Sequence, residues 1–173
     1  LEGNTTYYFR IFDYDVDANG NTYYLTSSSA NGTGNTALIP TQIGSNPKIT
    51  NLTGTTASIG LTHGNGAMRL VIVKEGSPVD AVPADYTNYT SNTVFGSGAQ
   101  ITPGNYVTHK INGNPFTISN LKPGFTYHVA IYEFNGSSAP MYSRTASTIS
   151  FMIPVEPTNC STAPWSTFIE GNS

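Results

Sequence analysis

The chain of 173 residues is short of charge: lysine and arginine number 7, aspartate and glutamate 10, together 10% of the sequence. At a net charge of −3 there is no basic patch, which argues against a nucleic-acid binder. Cysteine is nearly absent. A lone Cys160 excludes a disulfide within the chain, so it either pairs outside it or is an inert thiol. No apolar run is long enough for a membrane-spanning helix, so membrane insertion is not expected. The first residue is leucine and no leader peptide is recognisable, so the sequence is expected to be a piece of something longer. No serine lies in a G-x-S-x-G context, which leaves nucleophilic acyl transfer without support.

Glycine (17 residues) and tyrosine (11) are plentiful, alongside abundant Thr, Ser and Asn. This polar, turn-rich composition suits an extracellular all-β chain of many short strands. The strongest local pattern runs from Leu121 to Phe134. Pro123-Gly124 is a turn pair, because proline presets φ and glycine accepts a positive one. Beyond it Tyr127, Val129 and Ile131 alternate with His128, Ala130 and Tyr132, the period of a strand with one buried face. Tyr127 is placed to send its ring inward and its hydroxyl back to the corner backbone, as in the tyrosine corner of β-sandwiches. The pattern occurs twice. Leu1 matches Leu121, Tyr7 matches Tyr127, Phe9 matches Val129 and Ile11 matches Ile131. Tyr24 and Tyr142 open the following strand of each copy.

Residues 1–29 are therefore expected to hold the last two strands of one sandwich, Thr6–Tyr14 and Thr22–Ser28. An isolated hairpin is marginal in water, so something should cover the Tyr7, Phe9 and Ile11 face. Residues 30–46, rich in Gly, Asn, Ser and Thr, read as a linker in which Leu38 and Ile39 are candidates for a short strand. A complete sandwich is expected over 47–153. Its strands are Lys48–Thr53, Thr56–Thr62, Met68–Lys74, Asn105–Ile111, Pro115–Ser119, the strand after the Pro123 corner, and Thr145–Met152. Gly76–Gly104 is too long for a plain connection and should be a structured excursion pinned by Val79, Tyr86, Tyr89 and Phe95. Pro154, Pro157 and Pro164 mark 154–173 as a linker or the entry to a further module.

The order Ile59-x-Leu61, the apolar strand at 68–74, and Leu121-x-Pro-Gly-x-x-Tyr127-x-Val129-x-Ile131 resembles a fibronectin type III domain. Gly64-Asn-Gly66 with the Arg69–Gly76 run, Phe95-Gly-Ser-Gly98 and Gly104-Asn-Tyr-Val107 looks more narrowly like the variant repeated in large secreted proteins of the Bacteroidetes group. The resemblance covers roughly Pro47 to Ile153, and residues 1–29 look like the tail of a sibling. It implies an all-β, immunoglobulin-like sandwich of about seven strands. One departure is Leu61, where such domains usually carry a tryptophan. The resemblance implies no more about activity than a spacer or binding module within a multi-domain protein.

Asp15-Val-Asp17-Ala-Asn19-Gly20-Asn21 fits the opening of a calcium loop, with oxygen ligands at alternate positions and glycine at the sharp bend. The ligand set would be Asp15, Asp17, Asn19 and Asn21. Thr26 stands where the loop needs a bidentate glutamate, and a polar hairpin loop uses the same residues. His63, His109 and His128 lack metal-ligand spacing and read as surface or structural residues. Glu75, Asp80 and Asp85 could act as a glycosidase-like carboxylate pair only in a cleft. Tyr132 and Phe134, like Phe12 and Tyr14, fall on the outward phase of their strand. They are either a stacking platform for a sugar or protein ligand or, as preferred here, the seat of the Gly76–Gly104 excursion.

The expected function is that of a non-catalytic spacer or scaffold module of a secreted or cell-surface multi-domain protein, with neighbouring domains of that protein as partners. The alternative is an adhesion module that binds carbohydrate or protein through the outer aromatics or the 76–104 loop. Calcium is the one cofactor with a candidate site.

Overall fold

A computed structural model describes residues 2–155. Leu1, Cys160, Trp165 and nearly all of the predicted tail lie outside the described residues. Twelve strands occur among the described residues: β1 (Thr6–Ile11), β2 (Tyr14–Val16), β3 (Thr22–Tyr24), β4 (Ala30–Asn35), β5 (Ser45–Leu52), β6 (Ala57–Thr62), β7 (Met68–Glu75), β8 (Tyr106–Ile111), β9 (Phe116–Ile118), β10 (Thr126–Asn135), β11 (Met141–Tyr142) and β12 (Ser147–Met152). No helix among the described residues is long and apolar enough to cross a membrane.

Strands β5 to β12 form an immunoglobulin-like sandwich. One sheet runs β5-β6-β9; the other runs β8-β7-β10, with β11 and β12 both on the remaining edge of β10. Thus β11 and β12 share the seventh strand position. β11 pairs with the end of β10 at Phe134 and Asn135, and β12 pairs with its beginning from Thr126 to Ile131. The topology is that of the fibronectin type III fold expected from the corner motif. Strand β5 begins at Ser45, two residues before the expected opening at Pro47. Proline has no N–H for the ladder, and the register of β5 on β6 shifts between Ser45 and Lys48.

The alternation read from the sequence sets the layers. Tyr127, Val129 and Ile131 of β10 lie with Val71 and Val73 of β7 against Ile59, Leu61 and Ile118 of the facing sheet, all buried. Each such apolar side chain contributes about 1.5–3 kcal/mol. Leu61, in the tryptophan position, is 6% exposed, so the smaller side chain still closes the core at that point. The corner forms as expected. The backbone N–H of Lys122 donates to the Tyr127 hydroxyl oxygen at 3.0 Å, and Gly124 takes φ of 81°.

The opposite face of the β7-β10 sheet is a second core. Leu70, Ile72, Ala130, Tyr132, Phe134 and Tyr142 are buried beneath the 76–104 excursion, which lays Val79, Tyr89, Ala99 and Ile101 on them. Phe95 reaches the first core instead, its ring 5.2 Å from that of Tyr127. Tyr86, expected to be a pin, is 57% exposed. It sits at φ of 63°, and only its backbone N–H is tied, to the Pro140 carbonyl at 2.8 Å. Gly98 lets the excursion close on β8, since a Cβ there would lie 1.9 Å from the Val107 carbonyl oxygen.

The N-terminal unit differs from the expected single hairpin. β1 pairs with β4, from Thr6↔Asn35 to Ile11↔Ala30, and β2 pairs with β3 through Tyr14↔Tyr24. The last strand of this copy therefore runs into residues assigned to the linker. Ala30-Asn-Gly-Thr-Gly-Asn35 has little strand propensity, and only its ladder with β1 makes it a strand. Leu38 and Ile39 form none.

Bond by bond, this unit is the β10-β11-β12 unit. Glu2 N–H donates to the Tyr7 hydroxyl at 2.7 Å, as Lys122 does to Tyr127. Asn4 N–H donates to the Thr36 carbonyl and Thr36 N–H to the Thr5 carbonyl, as Gly124 does to Ile153 and Ile153 to Phe125. Leu25 N–H donates to the Asp13 carbonyl, as Ser143 does to Glu133. Asn4 even takes the positive φ of Gly124. The Tyr14 and Tyr24 rings meet at 6.0 Å and 46°, matching Phe134 and Tyr142 at 5.3 Å and 46°.

Candidate functional site

The residues singled out from the sequence are not brought together. Tyr132 and Phe134 are 7% and 2% exposed, so they offer no platform to a ligand. They point outward from the sandwich core, but outward of the sandwich here means inward of the excursion. The phenols hold its backbone. Tyr132 donates to the Ala81 carbonyl at 3.3 Å and Tyr142 to the Thr87 carbonyl at 2.9 Å, while the Tyr89 hydroxyl accepts from Ala84 N–H at 3.0 Å. Burial raises the pKa of Tyr142, with Tyr89 and Asp85 adding to the shift.

In the Asp15–Asn21 loop, donors surround Asp17. Its Oδ1 accepts from the backbone N–H of Asn19 and Asn21, both at 2.9 Å, and its Oδ2 from the Asn21 amide and the Tyr23 hydroxyl. These bonds, led by that of the Asn21 side chain, hold its pKa down at about 2. Asp15 Oδ1 is bonded to the N–H of Val16. The loop is thus organised around one carboxylate by N–H and O–H donors, the arrangement of an Asx turn. A cation at Asp17 would have to displace those donors.

The histidines lie apart. His63 is exposed and His128 half-buried on the outer face of β10. His109 is buried, its ring 5.0 Å from Phe116 and its Nδ1 3.2 Å from the Thr108 hydroxyl; desolvation lowers its pKa. The three carboxylates serve three anchors. Glu75 takes the Tyr127 hydroxyl at 2.9 Å and pairs with Lys122 at 3.2 Å. Asp80 is held by Lys74 at 2.7 Å and by the Asn105 amide at 2.7 Å. The Lys74 contact leads the lowering of its pKa. Asp85 joins Arg144 at 2.7 Å and accepts from Tyr142 N–H at 2.9 Å.

Two features escaped the sequence reading. The first is a buried charge pair. Arg69 and Glu133 face each other across β7 and β10 and are 1% and 0% exposed. Glu133 Oε1 accepts from Gly64 N–H at 2.9 Å, and Arg69 Nη2 donates to the Gly113 carbonyl at 3.4 Å. Glu133 Oε2 and Arg69 Nε have no partner. Desolvation lowers the Arg69 pKa, and the charge of Glu133 opposes that shift. The signal was present, because period two carries Glu133 to the inner phase with Tyr127 and Ile131.

The second is a bracket on the connector between the two units. Asn65 Oδ1 accepts from the N–H groups of Thr41 at 3.1 Å and Gln42 at 3.0 Å, and its Nδ2 donates to the Thr41 hydroxyl at 3.0 Å. Asn65 N–H returns to the Gln42 carbonyl at 3.1 Å. Asn135 Nδ2 donates to the Leu38 carbonyl at 2.7 Å, and Pro40 is buried between these contacts. Residues 38–42 are therefore part of the sandwich surface.

No protein-family model matches this chain, and no curated protein matches it. Among solved structures, it is similar to a redesigned β-sandwich protein, at 20% identity and TM-score 0.45, over 68% of this chain and 96% of that one. It is also similar to the fibronectin type III domain of human fibronectin type III domain containing protein 3, at 13% identity and TM-score 0.43, over 73% and 96% of the two chains. A third is rat CD45 extracellular domains d3–d4, at 14% identity and TM-score 0.43, over 87% and 65%. At these values the likenesses add nothing to the topology above, on which the fold rests.

Proposed function

We propose that the 45–153 sandwich is a non-catalytic spacer module that fixes the direction in which the preceding unit leaves it. The observation that carries this reading is the Asn65–Asn135 bracket on residues 38–42. A tether that served only to join two units would have its backbone groups in water. Here they are satisfied by side chains of the β6-β7 turn and the end of β10. The carboxylates anchor parts of the fold, and the outer aromatic row is roofed by the excursion, which supports a structural role for that face of the sandwich. The narrower resemblance to modules repeated in large secreted Bacteroidetes proteins supports placing the parent protein outside the cell, with neighbouring domains as partners.

Amide hydrogen exchange tests the bracket. Thr41 and Gln42 should exchange slowly, and Asn65→Ala should release both while β10 stays protected. Fast exchange of both amides in the unaltered chain would refute a fixed exit. A glycan and polysaccharide array tests the other side: the spacer reading expects no saturable retention, and saturable binding would replace it with an adhesion role.

A further inference from the structure

In the complete copy, β10 lies between two neighbours, β12 on one edge and β7 on the other. Its counterpart β1 has β4 in the place of β12 and, among the described residues, nothing in the place of β7. The inward row of this copy is bare: Phe9 is 51% and Ile11 59% exposed, whereas Val129 and Ile131 are buried. A hollow of about 600 Å³ lined by Tyr8, Phe9, Arg10, Asn31, Gly32 and Thr33 lies on the same β1-β4 pair. Open backbone groups beside an uncovered apolar row are the conditions for strand addition.

The matched bonds of the two copies specify what fits. Across β7 and β10, Glu133 faces Arg69, Ile131 faces Val71, Val129 faces Val73 and Tyr127 faces Glu75. The Tyr127 hydroxyl donates to Glu75 at 2.9 Å. In the first copy those positions are Asp13, Ile11, Phe9 and Tyr7. Asp13 is exposed and makes no ion pair among the described residues. We propose that the free edge of β1 receives an antiparallel strand of the pattern basic-x-apolar-x-apolar-x-acidic. Its basic residue lies against Asp13, its apolar pair on Ile11 and Phe9, and its carboxylate at the Tyr7 hydroxyl. The strand belongs to the sandwich that β1 and β4 close. A second copy of this chain cannot supply it from β7, both of whose edges are already occupied by β8 and β10. This inference rests on the internal repeat and is independent of the spacer reading.

The probe is a synthetic peptide with the sequence Ala67 to Gly76, extended by terminal lysines for solubility and added to the 173-residue protein. Saturable binding is expected, with slowed exchange at the β1 amides that face away from β4 and no change in β10. Asp13→Lys should weaken the peptide about tenfold, and a peptide with its arginine replaced by glutamate should restore binding to that variant. Asp13 is exposed, so the substitution leaves the sandwich folded, which the unchanged exchange of β10 verifies. Three results would overturn the proposal: no protection of β1, equal binding of both peptides by both proteins, or concentration-dependent protection of β1 without peptide, which would make a second copy the occupant.

Discussion

The chain contains the same strand unit twice, once finished and once bare, and the two differ more in surroundings than in geometry. Tyr7 and Tyr127 hold their corners with the same bond, and the paired aromatic rings cross at the same angle. Yet Tyr14 and Tyr24 are 64% and 63% exposed, while Phe134 and Tyr142 are buried. The corner is therefore local chemistry that needs only a turn, a tyrosine and one N–H. Burial is supplied by the facing sheet and by the 76–104 excursion. A corner motif in a sequence thus announces a strand pair, and says nothing of whether the pair is covered.

Matched substitutions can break this contrast. The largest expected effect is Tyr127→Ala, which should destabilise the sandwich by about 4 kcal/mol in urea unfolding, whereas Tyr7→Ala should leave its midpoint almost unmoved. Equal losses would mean that the two units form one cooperative body. Next, Glu133→Ala removes the bond to Gly64 and leaves the buried Arg69 charge uncompensated, for a loss of about 3 kcal/mol. Adding Arg69→Met should recover most of it, and Asp13→Ala should cost nothing measurable. A smaller loss of about 2 kcal/mol is expected for Gly98→Ala, from forcing the excursion off Val107. It should show as faster exchange at Ala99 and Val107 with the first core still protected.

Titration gives the smallest effects, and of opposite sign in the two units. Asp17 has a depressed pKa, so its contribution to the β2-β3 loop is present above 3.8 and lost as pH falls through about 2. NMR of its carboxyl carbon should show that midpoint. Tyr127 is shifted the other way, first by burial, so its contribution is present below 10 and lost as pH rises through about 12. A phenolate absorbance titration should show Tyr127 ionising near 12.

Much of the fold was legible because it depends on period and turn chemistry. The alternation at Tyr127, Val129 and Ile131 and the Pro123-Gly124 bend specify a strand, its phase and its corner without tertiary information. β4 was not legible. Its glycines and asparagines carry no strand signal, and its conformation comes from β1, whose ladder runs from Ile11↔Ala30 to Thr6↔Asn35, far off in sequence. The candidate sites were read less well, because residue type does not reveal what else competes for it. Tyr132 and Phe134 are suited to stacking a sugar, but the excursion reaches them first. Asp17 is suited to a cation, but its oxygens already accept from neighbouring N–H and O–H donors. Glu133 was legible in phase, but its residue type speaks against an inner row, where a carboxylate is uncommon.

The Asn65 bracket also has a mechanical meaning. Tension applied from the N-terminal side does not reach β5 at its first residue. It arrives at the β6-β7 turn, where Thr41 and Gln42 are fastened, and at the far end of β10 through Asn135. Load is thus shared between both sheets before any ladder bond of the sandwich is stretched, through a short leash of side-chain contacts that can re-form when the pull is released.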